Sequence, residues 1–460
     1  MDSSTVTCHS LGWVDEIRPI EGRPPLNRTH LTRYARALRS VLSERHLVSL
    51  ARETGHCRRL RDITPQRLVC ALIEALGALR VRTIADILRT FNAQSGLATR
   101  YKPFHKRLAR PEFPRFLRQV YLDVVRKLSQ NVLRAAAPVQ LGRFEDIVLQ
   151  DGSSFAVHDA LAKTFAGRFT KVRPAAVELH AFVSVFHDQV LNAQLAADTE
   201  GERDFLPAPQ ELSGKLLLAD RGYPSLEYFE KVIAAEGFFL MRAKSDLNPT
   251  ARCVRGPGGR LPRFEGYSLQ DILRWLPRRR LDLEAEWERP HGRTLRLRMV
   301  LVWTPPKKRF MVLVTNVSRR VLTARQCAEV YRLRWQIELL FKEWKSFANL
   351  HEFASADPSI VEGLIWSSLC AAALKRSLAH ASQRAGARVA ISTQVAAMCG
   401  VHILRDLLAC ILGGFHRLKE ILKKVFRYLW NNAARAHPAR DRTRGRTERV
   451  NKNETDPLRI

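Results

Sequence analysis

The chain has 460 residues, 46% of them hydrophobic, which suits roughly two to four domains and excludes disorder throughout. Its 76 Lys and Arg residues outnumber 45 Asp and Glu residues and give a formal net charge of +31. A field of this sign repels cationic ligands and attracts polyanions, of which nucleic acid is the first candidate. A basic, solvated surface is the simpler alternative.

The sequence shows no secretion signal and no membrane span. Its first residues, MDSSTVTCHS, have neither a basic start nor an apolar run. The most apolar helical segment, LIWSSLCAAAL, has only 11 residues before Lys375 and Arg376 interrupt it, which is too short to cross a bilayer. The eight cysteines include no CxxC pair, which disfavours a zinc module or a disulfide framework. We therefore expect a cytoplasmic, nucleoid-associated protein without membrane contact.

The first part of the chain is predicted to be helical and rich in arginine. Apolar residues recur at helical spacing in HLTRYARALRSVL, RLVCALIEALGAL and FLRQVYLDVVRKL. Within this region, TIADILRTFNAQSG and YKPFHKRLAR have the order helix, glycine turn, basic helix, which is the layout of a helix-turn-helix reader. Lys102, Lys106 and Arg107 are therefore candidates for DNA contact. The alternative is a helical hairpin that serves only packing.

An α/β pattern begins near Phe144. FEDIVLQDGSSFAVH and VELHAFVSVFHDQVLNAQLAAD read as strands broken by turn signals at DG and HDQ, and KLLLADRGYPSLEYFEKVIAAEGFFLMRAKS reads as strand, turn, helix, strand. This alternation predicts a sheet covered by helices. A β-rich insertion with a hairpin at its HG turn separates these elements from the strand RFMVLVTN. The predicted organisation is a helical region over 1–135, α/β parts over 140–245 and 310–380 around an insertion over 246–309, helices over 381–430, and a disordered basic tail over 431–460.

Two aspartates follow apolar strand segments. Asp151 comes after DIVLQ and before Gly152, and Asp220 comes after LLLA, with Gly222 close behind it. An aspartate at the C-terminal end of a strand, with a glycine that lets a ligand approach, suits a bound ion or phosphate. Either aspartate alone is as well explained by a turn.

A third acid lies on a predicted helix, YRLRWQIELLFKEWK, over residues 331–345. At about 100° of rotation per residue, one polar stripe opposite the apolar face carries Tyr331, Arg334, Glu338 and Lys345. A salt-bridged helix face explains part of this stripe, because Arg334 and Glu338 are an i, i+4 pair. Such a pair requires neither Tyr331 nor Lys345.

Together, Asp151, Asp220 and Glu338 predict a site for two divalent cations. Carboxylate oxygens suit Mg²⁺ or Mn²⁺, and these motifs contain no histidine that would favour zinc. Two such ions about 4 Å apart activate a water or a 3′-hydroxyl for in-line attack at phosphorus. The cations of the polar stripe would then lie where neighbouring phosphates pass.

These motifs together resemble those of DDE transposases of the insertion-sequence-four family. The spacing of Tyr331, Arg334, Glu338 and Lys345 matches the Y-R-E-K signature of that family, and DGSS and DRGY resemble its two Asp motifs. The resemblance covers about residues 29 to 380. It implies an α/β, ribonuclease-H-like catalytic domain with a β-rich insertion, preceded and followed by helical regions, in which Asp151, Asp220 and Glu338 hold two divalent ions.

The activity that the resemblance implies is cut-and-paste DNA transposition of a bacterial insertion sequence. Such an enzyme binds terminal inverted repeats, here with Lys102, Lys106 and Arg107 as candidates. It cleaves the DNA, typically through a hairpin intermediate, and joins the 3′-hydroxyl ends to target DNA. It works as a homodimer in a synaptic complex with double-stranded DNA.

The resemblance also implies further DNA contacts. Tyr331, Arg334 and Lys345 would hold phosphates near the transferred end, and Arg242 in LMRAK resembles a basic strand-end residue near the DNA. A flipped base would stack on Phe310 or Trp303. The family more often has Trp at the start of this strand, where this chain has Phe310, and a core position explains Phe310 equally well.

Two other functions stay open. A catalytically inactive relic or repressor predicts DNA binding that survives the loss of Asp151, and the intact set of carboxylates speaks against it. A structure-specific nuclease predicts cleavage without joined products. The β-rich insertion and the Tyr-Arg-Glu-Lys stripe exceed what hydrolysis alone requires.

Overall fold

The computed structural model describes most of the chain between residues 26 and 434. The described residues are 26–78, 81, 83–128, 141–187, 189–243, 247–276, 280–305, 308–347, 353–388 and 390–434. The predicted basic tail, apart from residues 431–434, lies outside them.

The described part of the N-terminal region consists of helices joined by short loops, as its apolar spacing predicts. Its third and fourth helices are joined near Thr83, which forms a capping box with Asp86. The fourth helix ends at Gly96, whose φ of 69° is the left-handed conformation that glycine tolerates best. The helices are α1 (Arg28–Leu42), α2 (Glu44–Glu53), α3 (Pro65–Ala78), α4 (Ile84–Ser95), α5 (Tyr101–Leu108) and α6 (Glu112–Leu128).

A mixed sheet follows, and it confirms the predicted α/β, ribonuclease-H-like fold class. Its strands are β1 (Asp146–Ala156), β2 (Ala166–Phe169), β3 (Arg173–Ser184), β4 (Gln189–Ala197), β5 (Lys215–Ala219), β6 (Phe238–Arg242), β7 (Thr250–Gly256), β8 (Gly259–Arg260), β9 (Leu281–Glu288), β10 (Thr294–Thr304) and β11 (Arg309–Thr315). The order across the sheet is β2-β3-β1-β5-β6-β11-β10-β9-β7-β8, with β4 on β3. β1, β5 and β6 are parallel, whereas β3 and β11 run antiparallel to their neighbours.

The insertion is β-rich, as predicted, and it extends the same sheet. β9 and β10 form the expected hairpin, and its turn contains His291 with a φ of 62°. β10 pairs with β11, and β11 pairs with β6, so hydrogen bonds run from the insertion into the central strands. The insertion also contains a short helix, α8 (Leu269–Trp275), which the strand pattern did not predict.

Helices cover the sheet and form most of the described chain after β11. One helix, α7 (Leu226–Ala234), joins β5 to β6, and α9 (Ala324–Tyr331) and α10 (Trp335–Phe347) follow β11. The C-terminal helices confirm the helical prediction for this part of the chain, and the last runs to Asn432, two residues beyond the predicted boundary. They are α11 (Pro358–Arg384), α12 (Thr393–Met398), α13 (Gly400–Leu412) and α14 (Leu418–Asn432).

The N-terminal and C-terminal helices pack into one body, although the sequence pattern places them in separate regions. α11 lies along α6 and α3, α13 lies on α3, and α14 contacts α1. At Gly363 of α11, a β-carbon would collide with the ring of Phe113 from α6, so glycine permits the close approach of the two helices. One continuous hydrophobic cluster joins these helices to β1, β3 and α10. This cluster is the core against which the site elements are fixed.

The apolar helix α11 is buried and carries charges inside the protein. Lys375 is 3% exposed and donates a hydrogen bond to the carbonyl oxygen of Gly77 at 3.1 Å. Arg376 is also buried. Within the part of the chain that the structure describes, no helix combines the length and the apolar character needed to cross a membrane.

Candidate active site

Asp151 and Asp220 follow the last paired residues of two adjacent parallel strands. The pairing of β1 with β5 ends where Gln150 lies opposite Ala219. Asp151 directly follows Gln150 in the sequence, and Asp220 directly follows Ala219. Asp220 follows the end of β5, as predicted. The prediction that Asp151 also ends a strand is wrong, because β1 continues along its antiparallel partner β3 as far as Ala156. The sequence DG is typical of a turn, but here it lies within a strand, because β1 pairs with β3 beyond the point where its pairing with β5 ends.

Glu338 lies on α10, but the segment over 331–345 is not the single α-helix that the sequence predicts. α9 ends at Tyr331, a 3₁₀ turn covers Arg332–Arg334, and α10 begins at Trp335. Apolar spacing does not reveal this change, because 3₁₀ and α-helical windings differ little over one turn. The apolar face is buried as predicted, with Ile337 0% exposed.

Arg334 connects two of the three acids. Its Nη1 donates to Oδ2 of Asp151 at 3.0 Å, and its Nη2 donates to Oε1 of Glu338 at 2.5 Å. The side chain of Arg334 is only 11% exposed. The pair of Arg334 and Glu338 is therefore more than an exposed helical salt bridge, since the same guanidinium reaches across to the central sheet.

Asp220 belongs to the same polar cluster through a different residue. The hydroxyl of Tyr331 donates to Oδ1 of Asp220 at 3.1 Å, and the guanidinium of Arg334 lies 5.7 Å from the centre of the Tyr331 ring. Arg242 contributes a second cation, with Nη1 3.9 Å from the same Asp220 oxygen. Predicted residues from β1, the end of β5, β6, α9, the 3₁₀ turn and α10 thus meet in one place.

The carboxylates differ in their electrostatic environment. Burial raises the pKa of Asp151 to about 7; Arg334 opposes this rise, whereas Asp220 and Glu338 add to it. Burial also raises the pKa of Glu338, against the effect of Arg334. For Asp220, burial is outweighed by Arg334, a backbone hydrogen bond and Arg242, so its pKa is lowered. One buried arginine therefore leaves the negative charge of this cluster only partly compensated.

The donor set suits a hard divalent cation, although it is not assembled as a finished metal site. Within the described ranges, no group of three or more His, Cys, Asp or Glu residues lies close enough together to hold a metal ion. Between Asp151 and Glu338 the positive charge comes from the guanidinium of Arg334. Carboxylate oxygens with incompletely compensated charge are ligands that Mg²⁺ and Mn²⁺ prefer. The residues therefore fit such ions, provided that Arg334 gives up its contacts.

Lys345 lies at the end of β1 that follows Asp151. Its Nζ donates to the carbonyl oxygen of Ser154 at 2.6 Å, and the hydroxyl of Ser154 donates to Oδ1 of Asp198 at 2.5 Å. Burial and the nearby Arg173 lower the pKa of Lys345. The described contacts of Lys345 thus support β1 and do not include the three acids.

A second charged cluster adjoins both Asp motifs and was missed by sequence reasoning. Arg168 donates to Oε2 of Glu178 at 2.9 Å and lies 3.7 Å from carboxylate oxygens of Asp198 and Glu202. The glycines of DGSS and DRGY face this cluster, because a β-carbon on the first would meet Glu178 and one on the second would meet Glu202. No motif in the sequence marks these residues, and the two glycines that predict room for a ligand instead lie against Glu178 and Glu202.

Trp303 and Phe310 form a cross-strand pair at the end of the β10–β11 hairpin. Their ring centres are 5.0 Å apart with the rings at 67°. Both side chains are partly exposed, and Phe310 also packs against the hydrophobic cluster beneath the insertion. Three residues beyond Phe310, Leu313 pairs with Arg242. Phe310 is therefore partly a core residue and partly accessible to a ligand. Its role in base stacking stays a prediction.

A cleft of about 810 Å³ opens in the N-terminal helices. It is bounded by the α2–α3 connection, the α4–α5 connection and α5. Lys106 and Arg107 line this cleft, whereas the exposed Lys102 on the same helix does not. The structure thus brings two of the three predicted DNA-contact residues together and leaves the third outside; their role stays a prediction.

Beside this cleft lies a buried histidine. His56 is 0% exposed, and its ring stacks on Phe116 at 5.1 Å. Neither ring nitrogen has a hydrogen-bond partner among the described residues. Burial, aided by the charges of Arg107 and Arg110, lowers the pKa of His56 to about 3. His56 is therefore neutral in the folded protein.

We expect the variant His56→Phe to lose less stability in acid than the wild type. Because the folded-state pKa of His56 lies below its usual value, the unfolded chain binds more protons between the two values, and stability falls as the pH drops below about 6.5. Near pH 5 this histidine then costs about 2 kcal/mol, at about 1.4 kcal/mol per pH unit, whereas Phe keeps the stacking and does not titrate. Urea unfolding near pH 7.5 and pH 5 measures the difference, and equal acid losses would contradict the prediction.

Comparison with known proteins agrees with this geometry. A family model described as "Transposase DDE domain" matches residues 142–374, which include all three acids. The transposase for insertion sequence element IS231D of Bacillus thuringiensis subsp. finitimus is 21% identical over 360 residues, covering 71% of this chain and 75% of that protein. The transposase for IS1151 of Clostridium perfringens is 20% identical over 275 residues, or 52% of this chain and 57% of that protein.

Proposed function

The chain belongs to the transposase DDE domain family, and from this premise we propose that it is a cut-and-paste DNA transposase of a bacterial insertion sequence. In this proposal it binds the terminal inverted repeats, cleaves the DNA there and joins the 3′-hydroxyl ends to target DNA. The names of its relatives, transposases for insertion sequence elements, support the class of substrate. The spacing from Tyr331 to Lys345 supports the insertion-sequence-four type.

The observation that carries this proposal is the arrangement of acids around one arginine. Asp151 and Glu338 come from segments 187 residues apart in the chain and share the guanidinium of Arg334, and Asp220 joins them through Tyr331. Burying several like charges in one place costs free energy, and clusters of this kind are typical of functional sites. A structural role alone would not require the three to converge.

The cations and the tyrosine of this site are proposed to hold the DNA backbone. Arg334 presents a planar fork suited to two oxygens of one phosphate, and binding a phosphate in this way would free Asp151 and Glu338. Arg242 and Tyr331 lie at Asp220, on the other side of the cluster. Lys345 donates one N–H to the carbonyl oxygen of Ser154, and its ammonium group has further donors for a phosphate.

We propose Asp151, Asp220 and Glu338 as ligands of two Mg²⁺ or Mn²⁺ ions. Such ions, when bound, activate the attacking hydroxyl and neutralise charge on the leaving oxygen. The protein contributes the three carboxylates on a rigid frame, since β1 and β5 are central strands and α10 is fixed in the core. The phosphate-binding side chains then orient the scissile bond against this frame.

A hairpin intermediate is proposed to use the aromatic pair of the insertion. We expect Trp303→Ala to lower the ratio of hairpin to nicked product by about tenfold, because stacking one base on an aromatic ring contributes roughly 1–3 kcal/mol. Phe310→Leu tests the partner ring with less damage to the core. Trp275→Ala is the control, since Trp275 is exposed in the same insertion but lies on α8. A loss in the Trp275 variant alone would contradict the assignment.

The assembly proposed for this reaction is a homodimer that holds two element ends in a synaptic complex. The strongly basic chain would associate with chromosomal DNA, which agrees with a cytoplasmic, nucleoid-associated protein. Its contacts with phosphates outside the specific ends would be sensitive to salt.

The deciding experiment is a cleavage and joining assay with the wild-type protein and Mg²⁺. Its substrate is linear DNA that carries the two ends flanking the gene, and a supercoiled plasmid serves as target. Cutting at the tips of the element followed by joined products supports the proposal. Ends that are bound but never cut would instead indicate a DNA-binding relic or repressor, and ends that are cut but never joined would indicate a nuclease.

A further inference from the structure

We propose that the arginine-lined cleft of the N-terminal helices binds the phosphodiester backbone of duplex DNA without regard to sequence. The cleft is formed by residues 58–63, 98–100, 103, 106–107 and 110. The inference rests on the proposed function in one respect, which is that DNA is the substrate. It goes further by assigning a second DNA-binding site, which lies outside the carboxylate site and does not contact the bases.

The first support is charge. Arg58, Arg59 and Arg61 line one wall, and four more Lys and Arg residues line the opposite wall. Asp62 is the single acid among the described residues that line the cleft. Most of these cations are exposed to solvent, so they are available to a ligand that enters from outside. A run of cations of this density matches a repeated anion better than a single one.

The second support is the nature of the remaining lining. Pockets for small organic ligands are mostly apolar and aromatic. Here the apolar lining consists of Ile63, Ala98 and Pro103, with no aromatic ring among the residues that line the cleft. The volume of about 810 Å³ also exceeds what one phosphate ion would fill. A polyanion that passes through the cleft fits both facts.

The third support is that both walls are held in place before any ligand binds. The side chain of Asn92 donates to the carbonyl oxygen of Thr99 and accepts from its N–H, each at 3.0 Å. On the other wall, Arg67 donates to the carbonyl oxygen of Asp62 at 3.1 Å. Arg110 joins the two walls, because its Nη1 donates to the carbonyl oxygen of His56 at 2.8 Å. Such preorganisation lowers the entropy cost of binding.

The geometry also separates this cleft from a helix-turn-helix reader. A reader presents one convex helix to base edges in the major groove. Lys106 and Arg107 instead face a concave space together with cations from another segment, and Lys102 remains outside it. Contacts of this kind position the duplex and carry no sequence information.

The test is DNA binding measured by fluorescence anisotropy at several salt concentrations with the full chain. The cleft variants are Arg59→Ala and Lys106→Ala, and Lys424→Ala is the control because it removes an exposed cation from α14, outside the cleft. The plot of log K against log salt has a negative slope, and each cleft variant is expected to make this slope less steep by about 1. That is the value for one lost phosphate contact. The loss is expected to be equal for a random duplex and for an end-containing duplex. The control is expected to leave both unchanged.

Three results would overturn the inference. The first is an equal loss of affinity in the Lys424→Ala variant, the second is a loss in the cleft variants that is confined to the end-containing duplex, and the third is unchanged affinity in the cleft variants. The result is independent of the cleavage assay. If the wild type cuts element ends while the cleft variants bind as the wild type does, only the cleft assignment fails. If the cleft variants lose affinity but the wild type cuts no ends, the transposase proposal fails and the cleft stands.

Discussion

Asp151→Asn is expected to lower the rate of cleavage at the element ends at least about a thousandfold and to leave DNA binding intact. A thousandfold corresponds to about 4 kcal/mol of lost transition-state stabilisation, within the range for metal-assisted phosphoryl chemistry. The amide oxygen of Asn can still accept the hydrogen bond that Asp151 takes from the N–H of Gly152 at 3.0 Å. The fold should therefore survive, because only one oxygen of the carboxylate is replaced and no volume is added.

The control for this variant is Glu329→Gln. Glu329 lies on α9, next to the site in sequence, but it pairs with Arg325 at the surface and has no described contact with the three acids. Its replacement should leave cleavage unchanged. Glu338→Gln should reproduce the loss seen with Asp151→Asn, since both acids share Arg334. If all three variants bind DNA and the Asp151→Asn variant cleaves it at the normal rate, the carboxylates have no part in the proposed mechanism.

The central part of the fold was predictable because its strands are apolar and short. Segments such as DIVLQ and KLLLA are buried on both faces of the sheet, and continuous apolar runs indicate this position clearly. The proximity of Asp151 and Asp220 was also predictable, because adjacent parallel strands place the residues that follow them at the same edge of the sheet. What the pattern could not show was the length of β1, because the residues of β3 that pair with its second half lie 20 to 30 residues further along the chain.

The less predictable features depend on contacts between distant segments. The charged cluster around Arg168 has no motif, and its members come together only when β2, β3 and the residues after β4 fold against Gly152 and Gly222. The single helical body had the same difficulty, because Phe113 and Gly363 meet across 250 residues of chain. Periodicity identifies a helix and its apolar face, but it does not identify the partner of that face.

Arg334→Gln is expected to destabilise the metal-free protein by about 3–5 kcal/mol near pH 8, because removing one partner leaves buried carboxylates without compensation. The loss should be smaller at lower pH, where Asp151, with its pKa raised to about 7, takes up a proton. Arg325→Gln provides the matched control. It breaks another i, i+4 pair, at 2.9 Å, in which the arginine is 71% exposed, and such pairs contribute only about 0.3–0.5 kcal/mol.

The same variant should respond more strongly to Mg²⁺ than the wild type does. In the wild type, a cation must displace the guanidinium of Arg334 from Asp151 and Glu338, whereas in Arg334→Gln the carboxylates are free and repel one another. A tenfold tighter affinity would add about 1.4 kcal/mol of stabilisation at saturating metal. Unfolding with and without Mg²⁺ measures this difference without relying on activity. If both proteins gained the same stability, or if Arg334→Gln were as mild as Arg325→Gln, the guanidinium would not be the group that balances these acids.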